Sequence, residues 1–272
     1  MLSRYSTRLF VTFSGTIFSS LLISSLAFPS AVFAAPSPTK KQEVPAALSA
    51  PTTASFELNE QGVEAIRQKD FPKAEALFQK ALTADPGNLT AAFNLSGMLI
   101  TNKRQQDAIS LLTKYIAANQ NDAGLYVRRA DAQFSLKNLN EATADYEQAL
   151  KIEPSYSGLA AKLGTVYALA QRTKEAQRVL LIAVEQEPKN AQLLHNLSNI
   201  FLVNGDAEKA ISTAKRALQI EPSSDLYVTL GNAYENKNDL KNSLIAFERA
   251  LDLGDKRPEL KEKITALKKV VS

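Results

Sequence analysis

The 272-residue chain contains no cysteine, no tryptophan and one histidine, and only 10 glycines and 11 prolines. Without cysteine there is no disulfide, thiolate metal site, cysteine nucleophile or lipid-carrying N-terminal cysteine. The one histidine, His195, has no neighbour at the spacing of an imidazole metal site or of a nucleophile–base pair. Glycine-rich phosphate loops are absent, as are Gly-x-Ser-x-Gly and His-Glu-x-x-His. Carboxylates that fall close together, such as Glu57 with Glu60 or Asp239 with Glu248, read as solvated helix faces. The expectation is a chain that is not an enzyme and holds no metal or cofactor. Charge of one sign is also missing. Net charge is +4, and six of the basic residues lie from Lys256 onward against three acidic ones from Asp255 onward. No basic stripe tracks a phosphate backbone, which excludes a nucleic acid as partner.

What is present is a folded composition: 45% apolar and 22% charged. Alternating β-branched runs are scarce, while Ala, Leu, Glu, Lys and Gln, strong helix formers, dominate. The expected class is all-α. At the start, Arg4 and Arg8 precede an uncharged stretch with an apolar centre at Leu21, Leu22, Ile23 and Leu26, then Pro29 and the small end Val32-Phe33-Ala34-Ala35. This is the layout of a secretory signal peptide over residues 1–34, cleaved after Ala34. An uncleaved anchor is the alternative, although serines and Pro29 break its apolar run. Removing Arg4 and Arg8 from the 32 basic residues leaves 30 against 28 acidic, nearly neutral. Residues 35–54 are rich in Pro, Ala, Ser and Thr, with no apolar period, and read as a disordered linker.

From residue 55 onward the chain repeats. Small residues recur at Gly62, Ser96, Ala130, Gly164, Ser198 and Gly231. A second column runs Ala74, Ala108, Ala142, Ala176, Ala210 and Ser243, and a third Ala81, Tyr115, Ala149, Ala183, Ala217 and Ala250. The step is thirty-four residues, shortened by one before the last copy. Antiparallel helices approach closely only where neither presents bulk, and larger residues then fill the flanking grooves. Here these are Leu95, Leu163, Leu197 and Leu230 on the first helix and Phe78, Leu112, Tyr146, Leu180 and Phe247 on the second. Pro86, Pro154, Pro188 and Pro222 end the second helices.

This pattern resembles the tetratricopeptide-repeat family. Six units are expected, over residues 55–88, 89–122, 123–156, 157–190, 191–223 and 224–257. No unit has the family's early Trp, and Gln120 and Asp255 replace two of the terminal prolines. The resemblance implies a right-handed superhelical solenoid of helix-turn-helix repeats. Pro258 opens a last amphipathic helix, 258–272, with Leu260, Ile264, Leu267 and Val271 on one face, which fits a cap over the last stacking surface. A membrane-surface helix is the alternative for this lysine-bearing segment.

In the family one face of the first helices lines a concave groove. Here that face carries Asn59, Val63, Ile66, Phe93, Gly97, Ile100, Val127, Asp131, Phe134, Ala161, Thr165, Leu169, His195, Asn199, Leu202, Val228 and Asn232. Such a lining suits a peptide or helical segment of a protein partner held by shape and amide hydrogen bonds. Chaperone-binding members clamp a terminal carboxylate with two Lys, two Asn and one Arg. Asn59, Val63 and Gly124 depart from that set, only Asn94 and Arg128 agree, and the clamp is not expected. Exported six-repeat members resembling the type IV pilus pilotins assemble envelope machinery, but they carry a lipid for which this chain has no cysteine. Arg129 and Asp145 stand in a single unit at positions that are otherwise mostly apolar or neutral, and they read as a buried structural ion pair. Of the tripeptides beginning at Asn88, Asn94 and Asn196, which match the glycosylation pattern, the last two fall inside packed helices. The expected function is an exported, periplasmic or lumenal scaffold for protein assembly. The alternative is an accessory subunit that presents substrate to an envelope enzyme.

Overall fold

The structure is a computed structural model that describes residues 52–271. The expected signal peptide and almost all of the expected linker lie outside the described residues. Within them the chain is helical, with thirteen helices. They form six antiparallel pairs: α1 (Thr53–Arg67) with α2 (Phe71–Ala84), α3 (Leu89–Thr101) with α4 (Gln105–Ala118), α5 (Ala123–Ser135) with α6 (Leu139–Ile152), α7 (Leu159–Leu169) with α8 (Thr173–Gln186), α9 (Ala191–Val203) with α10 (Ala207–Ile220), and α11 (Ser224–Asn236) with α12 (Leu240–Asp252). A last helix, α13 (Pro258–Val271), packs on α12. No described helix is long and apolar enough to cross a membrane.

The small columns mark the places where paired helices touch. A Cβ added at Gly62 would stand 2.6 Å from the Phe78 ring, and one at Gly164 would stand 2.7 Å from Leu180. Both neighbours are fully buried, so these two crossings are fitted to glycine, whereas Ser96 and Ala130 stand in the same column opposite Leu112 and Tyr146. Where the first helix carries Ser198 instead, the facing position is only Ala214, and the serine hydroxyl donates to the Ala210 carbonyl at 2.8 Å. Tyr115, the one large residue in the third column, is accommodated because its hydroxyl leaves the crossing and donates to the Pro86 carbonyl of the preceding unit at 2.8 Å.

Helix ends follow local chemistry. Thr52, Asp70, Asn88, Asp122, Asn190, Asp206, Ser223 and Asp239 each accept a bond from a first-turn amide. The Thr52 cap starts α1 at Thr53, so the first helix takes in the last two residues of the expected linker. Unit four begins later than its Ser157 register. There Gly158 adopts the left-handed conformation, φ 71°, with no side-chain cap, and α7 starts at Leu159. The four repeat prolines each fall two residues beyond the end of a second helix.

Candidate binding groove

First helices of successive units approach one another, α3 with α5, α7 with α9 and α9 with α11, and no two second helices come comparably close. An arc whose first helices crowd together has those helices on its inner side, so the face expected to line a groove is the inner face.

The expected lining residues divide into two sets. Val63, Ile66, Phe93, Ile100, Phe134, Leu169, Leu202 and Val228 are half-buried, and they form an apolar line along all six units. Asn59, Gly97, Val127, Thr165 and His195 are buried, so these five lie beneath the accessible lining. The polar members are already bonded inside the protein. Asn59 Oδ1 accepts from Asn94 Nδ2 at 3.0 Å. Asn199 Oδ1 accepts from the Thr229 hydroxyl at 2.9 Å, and Asn232 Oδ1 accepts from Lys263 Nζ of α13 at 2.8 Å. Asp131 accepts from Lys162 Nζ at 2.7 and 2.8 Å and from the Tyr146 hydroxyl. These oxygens tie α1 to α3, α5 to α7, α9 to α11 and α11 to α13. The sequence places a residue on the inner face but does not show that a residue some thirty positions away takes up its hydrogen bond.

His195 belongs to the same network. Its Nε2 lies 3.0 Å from Thr229 Oγ1, whose own proton is directed to Asn199 or to the Asp225 carbonyl, so the ring donates through Nε2–H. Burial holds its pKa below the ordinary imidazole value, and the Asp225 carboxylate opposes this only in part. No group of His, Asp or Glu able to hold a metal occurs among the described residues. Arg129 and Asp145 make a two-pronged pair, Nε to Oδ2 and Nη2 to Oδ1, both at 2.7 Å, and Arg129 Nη1 also reaches the Thr113 hydroxyl at 3.1 Å. Asn88, the one glycosylation match outside a helix, is buried, caps α3 and donates to Ser55 Oγ.

Models of the tetratricopeptide repeat match residues 65–128, 133–200, 191–224 and 224–253. The chain belongs to the tetratricopeptide-repeat family. The chain is similar to the BBSome complex member BBS4 homolog of Drosophila melanogaster, 24% identical over 187 residues, 68% of this chain and 38% of that protein. It is also similar to stress-induced-phosphoprotein 1 of Caenorhabditis elegans, 25% identical over 204 residues, 74% of this chain and 61% of that one. The chain thus spans less than two thirds of either relative. Among solved structures, the tetratricopeptide-repeat protein YrrB, described as having an unusual peptide-binding site, superposes with a TM-score of 0.65 at 20% identity, over 70% of this chain and 97% of its own. Pseudomonas aeruginosa PilF superposes at 0.62 and 15% identity, over 77% and 96%. At these identities the likeness is one of fold. Tetratricopeptide-repeat proteins are interaction scaffolds that bind other proteins.

One inner-face residue outside the expected lining is Arg128. Its guanidinium lies 4.0 Å above the Phe93 ring, its Nε is buried without a partner, and burial lowers its pKa. The sequence signal was available: Arg128 stands one repeat before Lys162, and the residue facing it is a glycine.

Proposed function

We propose that this tetratricopeptide-repeat protein is an exported scaffold, periplasmic or in an equivalent extracytoplasmic space, that binds a segment of a partner protein on its inner face and serves assembly of an envelope complex. It is not itself a catalyst in this reading. The observation that carries the binding mode is the set of half-buried apolar residues from Val63 to Val228, to which every unit contributes at least one. Apolar side chains left open along a concave surface favour a partner that covers them. The internal use of the Asn and Asp oxygens favours recognition by shape and apolar contact over amide pairing. Export rests on the basic, apolar and small-residue sequence of the first 34 residues.

Binding is tested with the purified chain on an array of end-blocked twelve-residue peptides of mixed composition. Ile100→Asp and Leu202→Asp should each abolish capture while the helical circular-dichroism signal stays intact, because both change only half-buried groove positions. Capture that persists in both variants would place the ligand elsewhere. Export is tested by the mass of the protein recovered from the extracytoplasmic fraction, which should begin at Ala35.

A further inference from the structure

The second helices lie on the outer side of the arc, and one of them carries an exposed face unlike the rest. On α8, Arg178, Leu181, Ile182 and Glu185 stand at i, i+3, i+4 and i+7, which places them on one face of the helix, and all four are exposed. The column of Leu181 holds Gln79, Thr113, Glu147, Lys215 and Glu248 in the other units, and that of Ile182 holds Lys80, Lys114, Gln148, Arg216 and Arg249. Two adjacent columns that are polar in five units thus turn apolar together in the fourth, with Leu181 40% and Ile182 36% exposed. The flanking charges have no use inside the chain. Arg178 makes no ion pair or hydrogen bond among the described residues, with Glu175 acting on it only at a distance, and Glu185 makes none either. Glu185 also stands in the last turn of α8, where the helix dipole disfavours a carboxylate.

We propose that this face is a self-association surface, on which a second copy of the chain docks with its α8 antiparallel to the first. The order Arg178, Leu181, Ile182, Glu185 is symmetric about its centre with the signs of charge exchanged. A second α8 turned end for end sets Glu185 against Arg178 on both sides, while Leu181 and Ile182 meet their copies in the middle. Two-fold association requires a patch of this kind, in which residue i touches j and j touches i. Parallel helices would instead oppose Arg178 to Arg178 and Glu185 to Glu185. An unrelated apolar partner would need no such order of charges. The two outer surfaces curve away from each other, so contact is confined to α8 and its immediate surroundings, well below the roughly 1,200 Å² of a stable interface. Association is therefore weak, with a dissociation constant on the order of 100 µM, and forms where copies are concentrated. Both inner faces point away from the contact, so one dimer presents two grooves. The surface stands independently of the groove reading.

The test is sedimentation velocity of the purified full chain across about a hundredfold range of concentration. Wild type should shift toward dimer at the upper end, and less so at high salt. Leu181→Gln combined with Ile182→Gln should stay monomeric throughout at an unchanged melting temperature, because both residues are exposed and their columns are polar in every other unit. Arg178→Glu and Glu185→Arg should each weaken association at least about tenfold, since each sets like charges opposite one another. Mixed in equal amounts, these two variants should pair with each other. One copy then presents only carboxylates at the two ends of its α8 face and the other only guanidinium groups, so recovery also shows that both variants fold. A wild-type chain that is monomeric at every concentration overturns the proposal. Dimers that survive the paired glutamine changes overturn it as well, by placing the contact elsewhere. A mixture in which the two charge variants do not pair overturns the antiparallel register. Peptide capture by the inner face is read separately, and its failure would leave this surface untouched.

Discussion

Arg129 and Asp145 are the kind of residue pair whose removal one side at a time is costly. The Asp145 side chain is 7% exposed and that of Arg129 18%, and each satisfies two donors or acceptors of the other. Asp145→Asn keeps the volume and removes the charge, leaving a guanidinium without its counterion. The expected loss is about 3 kcal/mol, at the low end for a buried pair because Arg129 keeps some solvent. A melting temperature equal to wild type would show that the pair contributes nothing. His195 acts in the opposite electrostatic sense. Its folded pKa is held below the ordinary value of about 6.5 by burial, with the Asp225 carboxylate, itself paired to Arg257, acting weakly the other way. The unfolded chain therefore takes up the proton first. The contribution of His195 is complete above about pH 6.5 and is lost as pH falls below it toward the folded value. Melting curves between pH 7.5 and 5 should show a decline that is smaller in His195→Gln. Equal declines in both would assign it to other groups.

The elements repeat more strictly in backbone than in sequence. Every first helix ends with a left-handed residue, at Lys69, Lys103, Lys137, Gln171, Gly205 and Asn238, and the next amide donates back to a carbonyl five residues earlier, as Asn138 does to Gln133 at 3.0 Å. Only unit five uses glycine, the residue for which that conformation is free of Cβ strain. Lys137→Gly, at φ 63° and exposed, should therefore stabilise by about 0.5–1 kcal/mol. Gly205→Ala, at φ 82° with nothing near its Cβ position, should cost about 1 kcal/mol for the backbone alone. Urea midpoints of the two variants moving in the same direction would refute this account.

This strictness marks what the sequence could reveal about the elements. Small residues at Gly62, Gly164 and Gly231 announce close crossings because sterics there admits little else. The turn conformation at Lys69 or Lys137 carries no compositional mark, because the surrounding helix pair imposes it. The late start of α7 was likewise hidden, since Gly158 replaces a cap that five other units build from Thr, Asn, Asp or Ser. At the groove, the apolar line was legible from spacing. The fate of the polar residues was not, because whether Asn199 faces a ligand or Thr229 depends on the first helix of the next unit, thirty residues away. Arg128 is the converse case, in which the absence of a neighbour, Gly97, makes the feature.

At the scale of the whole molecule, each unit touches only the next, so stability should pass along the chain by nearest neighbours. The end unit then matters most. α13 stands where the first helix of a seventh unit would stand. Lys263 bonds Asn232 and pairs with Glu235, while Leu260, Ile264 and Leu267 are buried with Phe247 and Ala250 and against Tyr227, Leu240, Leu244 and Leu251. Burying each of these three aliphatic side chains contributes roughly 1.5–3 kcal/mol, an upper figure because the unfolded chain already hides part of that area. Removing residues 258–272 strips them all and opens the α12 face to water. The loss should be local at first. Amide exchange should accelerate through α11 and α12, less in α9 and α10, and not at all in α1–α4, while the helical signal falls by more than the fourteen residues of α13. The truncated chain should also self-associate, since the uncovered face is an unpaired stacking surface. Uniform acceleration from α1 to α12 would mean that the units unfold as one body, and unchanged exchange in α11 and α12 would mean that α13 is an appendage with no capping role.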